Sequence, residues 1–336
     1  MHTIWINGHA FEIRSNLHDF LGLLQTREPC WIWIDQLCID QSSLTERNEQ
    51  VGMMHEIYTG AQQTLVWLGL DPVDGARAVD VLEGLCSHGP LLEDDKRVLK
   101  AFCHLPYWSR HWVAQEIYLS GNALLLYDRR EMAMAFLKET VFQQPAHLIL
   151  FVGITPFYTM MTFICAPKHL PGYFWEQAMM LACKSECQDE RDKIFGIQSV
   201  LNEQLRLQVD YSLSNRDVLL RAVKLWHGLV DTNDFVFHVY MLAVGMQLVD
   251  WELYKAPLAC RGGATVESLK DRQDLAMEDI VSIFTEVIDK HQQNMNVKET
   301  TDSATPRSEP RTTQSILLSI QSTRGFFAQA WTGKQD

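Results

Sequence analysis

The sequence predicts an α/β protein, with a small parallel sheet flanked by helices and a mainly helical region after it. Three observations carry this. Residues 31–34 (WIWI) and 64–68 (TLVWL) are short apolar runs rich in β-prone residues, the composition of buried strands. Between them Val51, Met54, Ile57 and Tyr58 recur at three to four residues, so one face of an intervening helix is apolar. Strand, helix and strand in about forty residues make a βαβ unit, whose two strands are expected to be parallel. Past about residue 130, amphipathic stretches replace strand-like runs.

Taken in order, residues 3–7 and 10–14 flank Asn7–Gly8, a tight-turn pair, and read as a β-hairpin. Ser15 or Asn16 is expected to cap a helix to about Gln25, with Leu17, Phe20, Leu21 and Leu24 on one side. The 31–34 run leaves the core at Asp35. Ser42, Ser43 and Thr45 supply helix-start chemistry, Glu46 and Glu49 favour the positive helix end, and Gly60 stands where the helix should stop. Gly69 and Asp71–Pro72 end the second run. Helical segments follow at about 74–87 and 92–104. Ser109 is expected to cap a helix to about Leu119, ahead of a strand at 122–127. Residues 148–166 carry no charge and approach the ~20 residues of a membrane span. Gly153 and Pro156 interrupt them, and proline removes a hydrogen bond that lipid cannot replace, so a packed helical segment is expected rather than membrane contact. Residues 213–230 and 274–292 read as amphipathic helices, and 294–315 as a polar linker. The final stretch, SILLSIQSTRGFFAQAW, is expected to dock as a short hairpin or helix, or to stay loose. This gives an α/β domain over 1–130, a mainly helical region over 131–293 and a flexible tail over 294–336.

A net charge of −13 argues against a nucleic-acid partner, since phosphate binding needs clustered Lys and Arg. The N-terminus reads as no signal peptide, and eight cysteines without framework spacing fit reduced thiols in a cytoplasmic protein. Cys183 and Cys187 have no second pair at zinc spacing, and His55 and His111 lack ligand spacing, so no metal is expected. No Walker loop or Gly-rich dinucleotide fingerprint is present, so no resident cofactor is expected.

The stretch WIDQLCIDQ, then ERNEQVGMMHEIYTGAQQTLVWLG, resembles the signature of the fungal heterokaryon-incompatibility (HET) domain, roughly WIDALCINQ–ER–QV–M–IY–A–VWLG. The matches are Trp33, Ile34, Asp35, Leu37, Cys38, Ile39, Gln41, Glu46, Arg47, Gln50, Val51, Met54, Ile57, Tyr58, Ala61 and Val66 to Gly69; Gln36 and Asp40 depart from it. Trp112, Gln115 and Glu116 resemble the family's W-x-x-Q-E block, and residues 187–198 (CQDERDKIFGIQ) with Asp210–Tyr211–Ser212 resemble another. Family members usually begin with a strand resembling ALSYxWG. Nothing like it precedes Met1, which implies a late-starting gene model or a lost first strand, with an unpaired sheet edge.

The resemblance implies a TIR- or flavodoxin-like sheet and a role in fungal non-self recognition and programmed cell death. Its partner would be a second copy or another HET/NLR-type signalling protein. Two alternatives stand beside this: an inert, degenerate copy, and an enzyme. Some TIR domains cleave NAD with a glutamate on a helix after a Trp-containing motif, which makes NAD a possible substrate and Glu116 the catalytic position. In a continuous helix Trp108, Trp112 and Glu116 fall nearly on one face, and a carboxyl group against tryptophan is partly desolvated. The alternative for Glu116 is a structural ion pair with Arg110 or a neighbouring chain. Asp35, at the carboxyl end of its strand, is placed to hold a ribose hydroxyl or a substrate amide, or else caps a loop. Asp40 and Gln41 are expected to line the same loop, and Trp112 to contribute to substrate binding. Arg47 is placed for a phosphate or for a salt bridge with Glu46, Glu49 or an aspartate of the preceding loop. Cys38 reads as a small buried apolar residue.

Overall fold

The structure is a computed structural model that describes residues 1–28, 30–85, 91–143, 155–167, 171–229, 234–269, 272, 274–301 and 317–320. The chain divides into two compact units, Met1–Cys165 with Thr313–Asp336, and Ala166–Thr312.

The first unit opens on a hairpin, β1 (His2–Ile6) and β2 (His9–Ile13), in antiparallel register with Ile6 opposite His9. Asn7 and Gly8 both take positive φ, 50° and 81°, as the two-residue turn that matches strand twist requires. Helix α1 (Ser15–Leu24) follows, though neither expected cap acts: Arg14 precedes the helix, and the Ser15 hydroxyl lies 3.2 Å from His2 Nε2. Leu17, Phe20 and Leu24 pack with Ile13, Ile32, Ile34, Leu65, Trp67 and Leu126. Each such fully buried apolar side chain contributes roughly 1.5–3 kcal/mol.

The main sheet is mixed. It comprises β3 (Trp33–Ile34), β4 (Gln63–Trp67), β5 (Ala123–Tyr127), β6 (Arg130–Ala133) and β7 (Leu317–Ile320), in the order β3-β7-β4-β5-β6. The runs at 31–34 and 64–68 therefore do not pair with each other directly. β7 runs between them, antiparallel to each, and only β4 and β5 pair in parallel. Since β3 and β4 both oppose β7, they point the same way; a segment from the far end of the chain occupies the neighbouring position. β6 is a further addition, joined to β5 by a turn in which Asp128 has φ 52°.

Two helices also differ from expectation. The span after Ser43 breaks at Met53 into α3 (Leu44–Gly52) and α4 (Met54–Gly60), where Gly52 weakens helical continuity. Ser43 does cap α3, its hydroxyl accepting from the Glu46 amide at 3.3 Å. Helices α5 (Gly75–Gly84) and α6 (Glu93–Cys103) then precede a 3₁₀ turn at Pro106–Ser109. Helix α7 starts only at Val113 and ends at Leu119, so Trp108 does not share its face. Pro106 suits the first position of that turn. The Trp108 indole donates to the Phe102 carbonyl at 2.9 Å, and its ring packs on the Phe102 ring.

Helix α8 (Met134–Gln143) follows β6, and α9 (Pro156–Ile164) is capped by Thr155 and mostly buried. Phe157 packs on Trp108 and Phe102 at ring distances of 5.0 and 5.5 Å, so this unit runs past residue 130. Of the uncharged 148–166 stretch, 148–154 lie outside the described residues. No described helix is long and apolar enough to cross a membrane.

The second unit is helical. Helices Pro171–Lys184 and Phe235–Gly245 approach so closely that a Cβ on Gly245 would lie 2.8 Å from Cys183 Cα. Ser214 caps helix Asn215–Trp226, accepting from the Asp217 amide at 3.1 Å. Helix Met277–Thr301 continues through 294–301, where a linker was expected; residues 302–316 lie outside the described residues. Of the final stretch, 317–320 are described and form a strand, not a helix; 321–336 lie outside the described residues.

Candidate functional site

Asp35 follows β3 directly and starts the short helix α2 (Asp35–Cys38), its Oδ1 accepting from the Gln36 amide at 2.7 Å. Tyr58 comes from α4, Tyr107 from the 3₁₀ turn, Arg110 from the link into α7, and Glu116 from α7 itself. Glu116, Tyr58 and Tyr107 are buried, while Asp35 and Arg110 are half-buried. The Arg110 guanidinium lies 6.0 Å from the Tyr107 ring centre.

Burial pushes the Glu116 carboxyl up to about 8, and the charge of Asp35 adds to this. Arg110 acts in the opposite sense, as do the Tyr107 and Tyr58 hydroxyls. Asp35 is also raised by burial, against Arg110 and the Gln36 amide. Burial and then Glu116 hold Tyr107 and Tyr58 well above the usual phenol range. Arg14 is lowered by burial and by Arg110, so a second guanidinium stands near the same group. Among the described residues Glu116 Oε2, Arg110 Nη1 and Tyr107 Oη are buried with no hydrogen-bond partner. The tyrosine hydroxyls are thus near enough to favour the carboxylate, but Tyr107 makes no hydrogen bond of ordinary geometry. Leaving such groups unsatisfied costs about 1–3 kcal/mol each.

Two carboxyl groups with raised values beside a guanidinium form a site that suits proton transfer or a cationic ligand. Near neutral pH Glu116 is mostly a neutral acid. A positive charge placed beside it would favour its ionisation.

The other positions singled out in the sequence fall differently. Asp40 is exposed, and its Oδ1 accepts from the Ser42 amide at 2.9 Å and hydroxyl at 2.6 Å, bonds that hold its carboxyl below the usual range. The Asp40 amide donates to Glu46 Oε1 at 3.0 Å. This is loop-capping geometry. Gln41 is exposed on the same loop, and Arg47 is half-buried near the start of α3. Trp112 immediately precedes α7 and is half-buried. The charges acting on Glu116 are those of Arg110 and Asp35. Tyr107 carried no signal in the sequence, and Tyr58 read only as a core position because it lies on the apolar stripe of its helix. Among the described residues no group of three His, Cys, Asp or Glu side chains is placed to hold a metal ion.

Residues 1–116 match the family described as heterokaryon incompatibility protein (HET). A 55-residue stretch is 46% identical to heterokaryon incompatibility protein 6, OR allele, of Neurospora crassa, covering 16% of this chain and 8% of that relative. The match thus spans under a tenth of the relative's length. No solved structure matches the chain. The matched span covers the hairpin, β3, β4 and the helices up to Glu116, and so contains Asp35, Tyr58, Tyr107, Arg110 and Glu116 alike. Residues 1–116, about a third of the chain, are therefore the part that matches the HET family.

Proposed function

We propose that this chain acts in fungal non-self recognition and programmed cell death, in the cytoplasm, through self-association of its HET domain or pairing with another HET/NLR-type signalling protein. The observation that carries this reading is the family match over residues 1–116. Expression of the intact chain in a filamentous fungus should reduce viability. The purified chain should form concentration-dependent oligomers in light scattering. A chain that stays monomeric to high concentration and leaves growth unaffected defeats the reading.

A second reading has its own support in the Glu116 cluster. A buried glutamate, mostly protonated near neutral pH and beside Asp35 and Arg110, suits NAD glycohydrolysis. The pyridinium charge of NAD would draw Glu116 into its ionised form. The glycosidic bond then breaks with both electrons passing to the nicotinamide nitrogen, and the carboxylate opposes charge developing on the ribose. Water adds at the anomeric carbon and releases a proton. Pure protein incubated with NAD, dilute and under crowding, tests this by nicotinamide release, which Glu116→Gln should abolish. Cell killing that persists in Glu116→Gln favours self-association alone.

A further inference from the structure

β3 and β4 run in the same direction with the width of one strand between them, and β7 fills that lane. The lane lies inside the sheet rather than at its edge. Ile34, Leu65, Val66 and Trp67 on its two walls are buried, so their inward-facing backbone groups depend on whatever strand occupies it. The occupant is short. It pairs with Trp33 and Ile34 on one side and with Gln63 to Val66 on the other. It also runs antiparallel to both walls, so it needs no crossover connection and can enter from any chain end that reaches the sheet.

We propose that the lane between β3 and β4 is a strand-acceptor site, and that Leu317–Ile320 of a second copy of this chain enters it in exchange for the copy's own strand. Every copy carries one lane and one matching strand, so reciprocal exchange restores the same ladder in a closed dimer, and unreciprocated exchange extends it. The fifteen residues between Thr301 and Leu317, numbers 302–316, reach at most about 50 Å when extended, enough to bridge neighbouring molecules. Pairing within one chain does not depend on protein concentration, whereas pairing between copies should grow with it. The inference rests on the self-association reading and gives it a mechanism.

Cysteine trapping in the full chain tests it. Thr64 and Ser319 are directly opposed, as are Gln63 and Ile320, and opposed antiparallel pairs lie within disulfide reach. Mixing Thr64→Cys protein with Ser319→Cys protein should give a covalent dimer linked 64–319 by peptide mapping. Its yield should rise at least tenfold above either variant alone as concentration increases. The Gln63→Cys and Ile320→Cys pair repeats the test should the buried Thr64 position not tolerate exchange. The double variants Thr64→Cys/Ser319→Cys and Gln63→Cys/Ile320→Cys report the cis strand. Links confined to one chain at every concentration, or absent from both pairs, overturn the proposal. Oligomers of the unmodified chain without intermolecular links overturn strand exchange while leaving self-association standing. A chain monomeric throughout defeats both.

Discussion

In the second unit, Arg191 lays its guanidinium against Asp189 at 2.7 Å and donates to the carbonyls of Tyr211 and Leu213. The Tyr211 hydroxyl donates to Asp192, the buried Lys193 ammonium to the Ser185 carbonyl, and Gln198 Oε1 accepts from the Leu207 amide at 2.9 Å. In the first unit, Glu116, Arg110 and Tyr107 crowd together with a buried atom of each left without a partner. Each cluster includes residues from a block that resembles a family signature, Asp189 to Lys193 with Tyr211 in one case and Glu116 of W-x-x-Q-E in the other. A satisfied buried network rigidifies a fold, whereas an unsatisfied one costs stability and persists where its polar groups have other work. The Arg191 block is a clamp joining a helix start to the 211–213 loop. The Glu116 block is a candidate site.

The largest expected effect lies in the clamp. Arg191→Ala removes an ion pair and two carbonyl partners at once, and should destabilise the chain by about 3 kcal/mol in urea unfolding. Arg191→Lys should recover less than half of that, because a single ammonium cannot serve the fork geometry. Wild-type unfolding in Arg191→Ala would remove the basis for the contrast. Gly245→Ala should come next, at about 2 kcal/mol, since its Cβ meets the backbone of Cys183 and no flexible side chain can yield. An unchanged melting temperature there would mean that the two helices separate freely.

Glu116→Gln should act in the opposite direction. With the folded carboxyl at about 8 and the unfolded one near 4.5, the native chain keeps a proton that the unfolded chain releases. Stability carried by this group is therefore full below about pH 4.5, falls as pH rises towards 8, and levels off above it. The amide is neutral throughout. The variant should match the wild type near pH 4.5 and exceed it in stability at pH 8. Melting curves at both values would read the difference. A variant less stable than wild type at pH 8 would mean that Glu116 is ionised and paired, and the two clusters would then be alike.

What the chain's local chemistry announces was legible. Asn7–Gly8 dictates its turn, Ser43 its helix start, and the 64–68 and 122–127 runs their strands. Long-range placement was not. Nothing within residues 31–68 reveals that Leu317–Ile320 lies between the two runs, because their apolar character reports burial and not the identity of a neighbour. The same gap explains the site. Helical spacing placed Glu116 among Trp108 and Trp112, but Pro106 and the Trp108 indole bond delay α7 until Val113, and the carboxyl meets Tyr58, Tyr107 and Arg110 instead. Periodicity describes a helix's own faces and says nothing of what is packed against them.

The smallest effect is expected at Asp40, where it decides how far the site extends. Its carboxyl is engaged by the Ser42 amide and hydroxyl, a local turn that asparagine closes equally well. Asp40→Asn should therefore leave the melting temperature within experimental scatter of the wild type, and should leave unchanged whatever rate of nicotinamide release the wild type supports. Asp35→Asn, beside Glu116, should alter both. A rate that falls in Asp40→Asn while the melt stays put would bring the exposed loop back into the site, since only a contact with the ligand separates those two readouts.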